Sequence, residues 1–249
     1  MTEGVYRLLK DGIQRASRSA LVSLHNRYAP DAAGHRTRCF ILGTGPSLDL
    51  ASDIHLAALA KEWVWGVNTV LLYARLPFVP HFYCVAESTW LQNVAIPQLV
   101  ATLPKLPVAR FYAHHWPLLE PQLRGWIYVP YVSGSHIENG EFSGLGNELP
   151  YVTNGRSVVL MAVQLACWLG FSDIYLLGVD ASTRGHAQGL TLDPGDDYRD
   201  TQGPFIRAAL AAEATMANHG RRLVDLTVGG NLPISKGDIR SVLGAGERG

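Results

Sequence analysis

The stretch that decides the fold is FILGTGPSLDL, Phe40–Leu50, in which an apolar run leads into a glycine-rich turn and then into a helical pattern. Successive apolar residues, in place of an alternating pattern, are typical of a strand that is buried on both faces of a parallel sheet. Gly43 and Gly45 allow the main chain to turn tightly and to approach another group closely. The stretch therefore predicts a strand, a turn and a helix of an α/β fold.

Outward from this stretch, short β-rich runs alternate with helical patterns. The runs are Arg38–Gly43, Trp63–Asn68, His81–Ala86, Val108–His114, Ile127–Val132, Asp173–Asp180 and Arg221–Thr227. The helical patterns are Ala51–Lys61, Ser157–Leu169 and Pro204–Asn218. This alternation predicts an α/β, Rossmann-like doubly wound, mostly parallel sheet of about seven strands, with helices on both faces and a loop or lid insertion.

The chain has 249 residues, which fits one such domain preceded by a short segment. We expect residues 1–35 to form an N-terminal amphipathic helix and linker, and residues 36–249 to form a single Rossmann-like nucleotide-binding domain. Two polar, glycine-rich stretches, 133–150 and 181–203, are long enough to be lid loops over a ligand. In open α/β sheets such loops line the ligand crevice where they follow the carboxyl ends of strands.

The N-terminal helix combines apolar residues at helical spacing with a series of basic ones. The basic residues are Arg7, Lys10, Arg15, Arg18 and Arg27. Two interpretations fit this pattern: a helix that packs on its own domain, and a helix that lies on an anionic membrane surface. The longest apolar stretch of the chain, Val158–Phe171, is too short for a membrane span.

Composition excludes some classes of function. Lys+Arg and Asp+Glu are equal at 21 each, so the chain lacks the positive charge that general nucleic-acid binding needs. Cys39, Cys84 and Cys167 lie in apolar runs without metal-ligand spacing and are expected to be buried thiols in a reducing compartment. The N-terminal segment carries charges throughout and has no apolar leader core. We therefore expect a cytoplasmic protein, with peripheral contact to the inner membrane face as an option.

The glycine-rich turn is a candidate anion site. Its N–H groups and the Ser47 hydroxyl would be free to meet phosphate oxygens at the start of a helix. The alternative is a plain tight turn between a strand and a helix. Asn68 ends the next run, where its amide could bind a base or a ribose or could cap a helix. Asn154, Gly155 and Ser157 open an apolar helix whose free N–H groups would point into the same crevice.

The order of these motifs resembles one superfamily. GTGPSL, then GVN, HFYCVAES, a Ser-capped apolar helix, LGFSDIYLLGVD and GGNLP follow one another over Arg38–Leu243. This order is similar to that of the family 42 sialyltransferases, the sialyltransferase-like domain of motility-associated flagellin glycosylation factors, and the archaeal hydroxymethylpterin pyrophosphokinases. In the sialyltransferases the glycine loop and a following asparagine hold the CMP part of a CMP-activated sugar.

The resemblance implies a nucleotide site and also shows departures from the family pattern. The residues expected to bind the nucleotide are Gly43, Thr44, Gly45, Pro46, Ser47, Asn68, Thr153, Asn154, Gly155, Ser157, Asp180 and Arg184. Thr44 replaces an asparagine of the family. Arg184 stands where the family has phosphate-binding tyrosines, and a guanidinium could neutralise the leaving phosphate instead. Asp180 could bind ribose or a metal, or cap the next turn.

The family's general-base histidine is missing from DDYRDTQGP. His186, earlier in the same loop, and Asp200 are the candidate catalytic bases, since each could accept a proton from an acceptor hydroxyl. Both could equally be ordinary solvated side chains.

The expected function is a glycosyltransferase that moves sialic acid or a related ulosonic acid from a CMP-activated donor to a glycan or lipid-linked acceptor. It would require no cofactor, and the sequence leaves open whether the chain forms a homo-oligomer. One alternative is a 6-hydroxymethylpterin diphosphokinase-like enzyme that uses ATP and Mg²⁺, with Glu87, Asp180, Asp196 and Asp197 as metal ligands. Another is a non-catalytic nucleotide-binding domain.

Overall fold

The computed structural model describes residues 3–28, 38–86, 109–114, 125–146, 149–181, 187 and 199–244. Its strands are β1 Arg38–Leu42, β2 Val64–Val67, β3 Phe82–Ala86, β4 Ala109–His114, β5 Ile127–His136, β6 Val152–Asn154, β7 Asp173–Leu177 and β8 Arg222–Asp225. Its helices are α1 Glu3–Tyr28, α2 Asp53–Leu59, α3 Val158–Trp168, α4 Arg199–Asn218 and α5 Ile239–Leu243. Short 3-10 helices lie at Pro46–Leu50, Val70–Leu72 and Ile137–Asn139.

All eight strands are parallel and lie in the order β6-β5-β4-β3-β2-β1-β7-β8. The chain winds outward from β1 to β6, returns to place β7 on the other side of β1, and ends at β8. The winding direction therefore reverses between β1 and β7. In a sheet of this kind the ligand crevice lies outside the carboxyl ends of the two strands at the reversal.

Both faces of the sheet are covered, as the successive apolar residues of the strands predict. In β1, Cys39 and Ile41 belong to the core cluster that includes residues of α1, α3 and α4. The alternate residues Phe40 and Leu42 face the opposite cluster, to which α2 and α5 contribute. The predicted doubly wound α/β fold is therefore confirmed.

Two details of the prediction are wrong. Strand β5 continues to His136, into the stretch expected to be a loop from residue 133. Helix α4 begins at Arg199, whereas the pattern placed its start at Pro204. Here the proline stands inside the helix, in its second turn.

Helix α1 packs on its own sheet. Leu21 and Leu24 are buried in the core, and the Ser17 hydroxyl accepts a hydrogen bond from the Tyr128 N–H at 2.9 Å. Tyr128 lies near the start of β5, whereas pairing with β6 begins at Tyr131. The helix thus covers a strand edge that would otherwise expose unpaired N–H groups. Among the described helices, none is long and apolar enough to cross a membrane.

The three cysteines are buried free thiols, as expected. Burial raises the pKa of the Cys39 and Cys84 thiols well above the ordinary value, and it raises the pKa of Cys167 to about 12. Because the thiolate is the reactive form, these side chains act as small apolar core residues.

Candidate functional site

The glycine-rich turn after β1 is pressed against the turn after β7. The Gly43 N–H donates to the Leu177 carbonyl and the Gly45 N–H to the Gly178 carbonyl, each at 2.8 Å. A Cβ atom on Gly43 would overlap the Gly178 carbonyl oxygen, and one on Gly45 would overlap the Asp180 carboxylate. These glycines are therefore required by the contact between two turns of the protein itself.

The Asp180 carboxylate occupies the place expected for an anion. The Ser47 hydroxyl donates to Asp180 Oδ2 at 2.6 Å, and the Ser47 N–H lies 3.2 Å from both carboxylate oxygens. The expectation that these two donors are free is wrong, because a charged acceptor of the same chain satisfies both. Asp180 thus caps the short helix Pro46–Leu50, and a phosphate placed there would meet a negative charge.

The other residues of the glycine-rich turn also make hydrogen bonds within the protein. Pro46 is the first residue of the short helix, and the Leu48 N–H donates to the Gly45 carbonyl at 3.0 Å. The Thr44 carbonyl accepts from the Ala187 N–H at 2.8 Å. Ala187 is fully buried, so part of the second expected lid packs onto the turn.

Asn68 follows β2 at the same edge of the sheet. Its N–H donates to the Cys84 carbonyl at 3.0 Å, and its φ of 47° is in the left-handed region that asparagine tolerates better than most residues. Thr69, one residue later, stands at the cap of the next short helix, so Asn68 is not that cap. The Asn68 Oδ1 atom is buried and has no hydrogen-bond partner in the described structure.

The third junction lies between β6 and α3. Thr153 is 0% exposed, and its hydroxyl has no partner within the described ranges. A Cβ on Gly155 would lie 2.5 Å from the Leu160 Cβ, so the glycine is required by close packing on α3. Ser157 caps α3, with its Oγ accepting from the Val159 N–H at 3.2 Å. Asn154 ends β6, and its side chain lies outside the description.

A buried glutamine holds this junction in place. Gln164 is 0% exposed; its Oε1 accepts from the Thr153 N–H and its Nε2 donates to the Thr153 carbonyl, both at 3.0 Å. The Ser143 hydroxyl lies 2.6 Å from the same Oε1. Gln164 is the one polar residue inside the apolar run VVLMAVQLACW, and this exception in the sequence could have predicted the brace.

The three junctions are linked through two helices. Helix α3 starts directly after the β6 junction and packs on β1, β2, β3 and β6. In the first turn of α4, Gln202 Nε2 donates to the Ala181 carbonyl at 2.6 Å, and α4 also packs against the 3-10 helix after β5. These contacts connect the ends of β1, β2 and β7 and the start of α4 with the β5 and β6 ends along the carboxyl edge of the sheet, where folds of this kind have their ligand crevice.

Backbone strain marks the same edge. Among the described residues, three that are not glycine have positive φ: Asn68 at 47°, Arg156 at 59° and Ala181 at 47°. Each follows the carboxyl end of a strand. Left-handed conformations of such residues cost on the order of 1 kcal/mol each and are concentrated at functional sites.

The expected catalytic bases are not brought together by any described contact. His186 and Arg184 lie outside the described residues, as do Glu87, Asp196 and Asp197. Asp200 lies in the first turn of α4, and its side chain also lies outside the description. Among described side chains, no group of three or more His, Cys, Asp or Glu is placed to hold a metal ion.

The GGNLP segment packs beside Asp180. The Asn231 N–H donates to the Asp180 carbonyl at 2.9 Å, and Lys236 Nζ forms an ion pair at 2.5 Å with Asp225, which is 0% exposed. Lys236 Nζ also donates to the Gly230 carbonyl at 3.0 Å. The segment therefore braces the β7 end of the crevice.

No protein-family model matches the chain, and no curated protein sequence is significantly similar to it. Among solved structures, the MAf glycosyltransferase from Magnetospirillum magneticum AMB-1 has a TM-score of 0.50 and 16% sequence identity. That match covers 83% of this chain but 34% of the other, so the chain spans about a third of that protein's length.

Two structures of a sialyltransferase are also similar. CstII from Campylobacter jejuni, in complex with cytidine-5'-monophosphate as a substrate analogue, has a TM-score of 0.47 and 15% identity over 82% of this chain and 86% of that chain. CST-II in complex with a trisaccharide acceptor and CMP has a TM-score of 0.46 and 17% identity over 80% and 86%. At these identities, the similarity of the chain to solved structures concerns its fold.

Proposed function

We propose that the chain is a glycosyltransferase that takes a sugar from a nucleotide-activated donor, with a CMP-activated acidic sugar as the donor. The observation that carries the proposal is the pair of buried, unpartnered polar atoms Asn68 Oδ1 and Thr153 Oγ1. Both stand at positions that the motif resemblance assigns to the nucleotide. Leaving such an atom unpaired costs about 1–3 kcal/mol, so a partner supplied by a ligand explains why both persist.

A second observation supports glycosyl transfer as the class of reaction. A glycosyltransferase is among the solved structures that share this fold. The reversal point between β1 and β7, where such folds bind ligands, carries Asp180 and Ser47. We propose that the reaction needs no metal ion.

The position of Asp180 decides which part of the nucleotide can lie beside it. A carboxylate accepts hydrogen bonds and repels a phosphate. We therefore propose that the ribose hydroxyls lie at Asp180. The glycine turn then shapes the nucleotide site but does not neutralise the phosphate. The leaving phosphate would be neutralised by Arg184, and His186 or Asp200 would accept the proton of the acceptor hydroxyl.

Access to the two unpartnered atoms requires motion. Because Thr153 is fully buried, the segments around it must open before a nucleotide can reach its hydroxyl. We propose that the expected lids 133–150 and 181–203 open for this purpose, except for residues 133–136, which belong to β5.

The expected acceptor is either a glycan or a lipid-linked sugar. The residues on the outward face of α1 favour the lipid-linked acceptor. Leu8 and Val22 are exposed there, 69% and 44%, and the exposed Arg15 and Arg18 lie between them. Apolar and basic residues on one face suit peripheral contact with an anionic membrane. We propose a cytoplasmic enzyme that works at the inner membrane face.

The test is binding of CMP, CDP, UDP and ATP, each with and without Mg²⁺, measured by calorimetry. We expect CMP to bind without Mg²⁺ and to lose affinity by about ten-fold in Asn68→Gly, which keeps the backbone conformation but removes the amide. Asn26→Ala, on the exposed side of α1, is the matched control and should bind normally.

Other outcomes favour other functions. ATP binding that depends on Mg²⁺ would favour the diphosphokinase alternative. CMP binding without turnover of any CMP-sugar would favour a non-catalytic domain. Absence of CMP binding would overturn the proposal.

A further inference from the structure

A second group of polar side chains lies at the end of β5, outside the nucleotide motif. His136 is the last residue of β5 and pairs with Asn154 of β6. Glu138 lies in the 3-10 helix that follows, and Arg156 lies just past β6. The expected nucleotide contacts include none of these three residues.

Two of these side chains carry buried atoms without partners. His136 Nδ1 and Glu138 Oε2 make no hydrogen bond in the described parts of the chain. Glu138 Oε1 lies 3.7 Å from Arg156 Nη2, which is an ion pair but too long for a hydrogen bond. The fully buried Thr153 hydroxyl, on the neighbouring strand, is the third unpartnered atom at this end of the sheet.

The group borders the crevice through α4. This helix packs against the 3-10 helix that contains Glu138, and its first turn is hydrogen-bonded to Ala181 beside Asp180. The Glu138 and Arg156 side chains are 19% and 38% exposed. The Glu138 Oε2 atom is itself buried, so a ligand reaches it only when the segment around it opens. The backbone of Arg156 has a φ of 59°, a strained conformation that sets the direction in which the side chain leaves the main chain.

We infer that His136, Glu138 and Arg156 form the subsite for the sugar acceptor, an inference that rests on the proposed function. The carboxylate oxygen only accepts hydrogen bonds, and the imidazole Nδ1 accepts them in one tautomer. A ligand rich in hydroxyl donors supplies what both atoms lack. The Arg156 guanidinium donates to oxygens of the same ligand. A neutral, hydroxyl-rich sugar therefore fits this group better than a second phosphate.

The experiment follows the His136 imidazole signals by NMR in the full-length protein, with and without saturating CMP. Galactose, glucose, N-acetylglucosamine and mannose are each added up to about 100 mM, since single sugars bind weakly. We expect at least one of them to shift the His136 signals. Glu138→Gln should weaken that binding by about ten-fold and leave the affinity for CMP unchanged.

Two further variants complete the design. Arg156→Gly removes the guanidinium while suiting the positive φ, so it should fold and should lose sugar binding to the same extent. Glu213→Gln is the control, because its carboxylate oxygen accepts the Ser235 N–H, a role that an amide oxygen also fills.

Several results would overturn the inference. They are a His136 signal that no sugar shifts, sugar binding that survives both substitutions, and a parallel loss of CMP affinity, which would place the group in the nucleotide site. Failure of CMP to bind the unaltered protein would instead remove the proposed donor, and the titrations without CMP would still test the sugar subsite.

Discussion

The two ends of the crevice differ in how completely their polar groups are paired. At the β1–β7 end, the Gly43, Gly45 and Ser47 N–H groups and the Ser47 hydroxyl all have partners on β7 or its turn. At the β5–β6 end, His136 and Thr153 carry buried atoms without any partner in the described structure. The motif that dominates the sequence holds two turns together. We propose that the unpaired atoms at the β5–β6 end are where a ligand binds.

The largest expected effect comes from Gly45→Ala. Its Cβ would overlap the Asp180 carboxylate, so we expect a loss of about 3 kcal/mol in the free energy of unfolding. Chemical denaturation measures this loss. Gly12→Ala is the control, because nothing lies within 4 Å of the added Cβ and alanine favours the helix. If the two substitutions cost the same, the close contact between the two turns is not what requires glycine at residue 45.

Gln164→Leu tests the brace at the other end. The leucine would leave the Thr153 N–H and carbonyl unpaired in a buried site, which should cost about 2 kcal/mol of stability. Hydrogen exchange of the Thr153 amide should accelerate at the same time. An unchanged exchange rate would mean that β6 holds its position without Gln164.

Asp180→Asn tests the charge within the paired region. The amide keeps the shape of the carboxylate but loses its charge, so stability should fall by about 1 kcal/mol. Because the like charge is removed, the affinity for CMP relative to cytidine should rise by about ten-fold, which calorimetry can measure. An unchanged ratio would show that Asp180 does not lie near the nucleotide.

His81 is a half-buried histidine whose Nδ1 has a hydrogen-bond partner, in contrast to the Nδ1 of His136. Burial lowers the pKa of its imidazole, and its Nδ1 accepts the Val64 N–H at 3.4 Å. A lowered native pKa means that the stability contributed by the neutral form is present above the unfolded value of about 6.5 and is lost as the pH falls below it. His81→Gln should therefore reduce the acid dependence of unfolding, measured by denaturation at several pH values. An equally steep dependence would assign it to other groups.

The sequence predicted the fold well because the strands are buried on both faces, which leaves a visible run of apolar residues in each. The short strand β6 was not predicted, because it contains a single aliphatic residue, Val152, before two polar ones. The hydrogen bond between Ser47 and Asp180 joins residues 133 positions apart, and no local pattern encodes such a contact.

The candidate site was predictable in part. Asn68 is a polar residue at the end of a predicted strand, and the structure places it directly after β2 with a positive φ; its contact with a nucleotide stays a prediction. His136 and Glu138 lie in a segment rich in serine and glycine that resembles a loop, so their position at the end of a strand was hidden.

The central claim is that the unpartnered Thr153 hydroxyl is kept for a ligand and not for the fold. Thr153→Val replaces it with a group of similar shape, so the buried unpaired oxygen disappears. Measured together on this variant, the free energy of unfolding should rise by about 1 kcal/mol and the affinity for CMP should fall by about ten-fold. Lower stability with unchanged affinity for CMP would contradict the account.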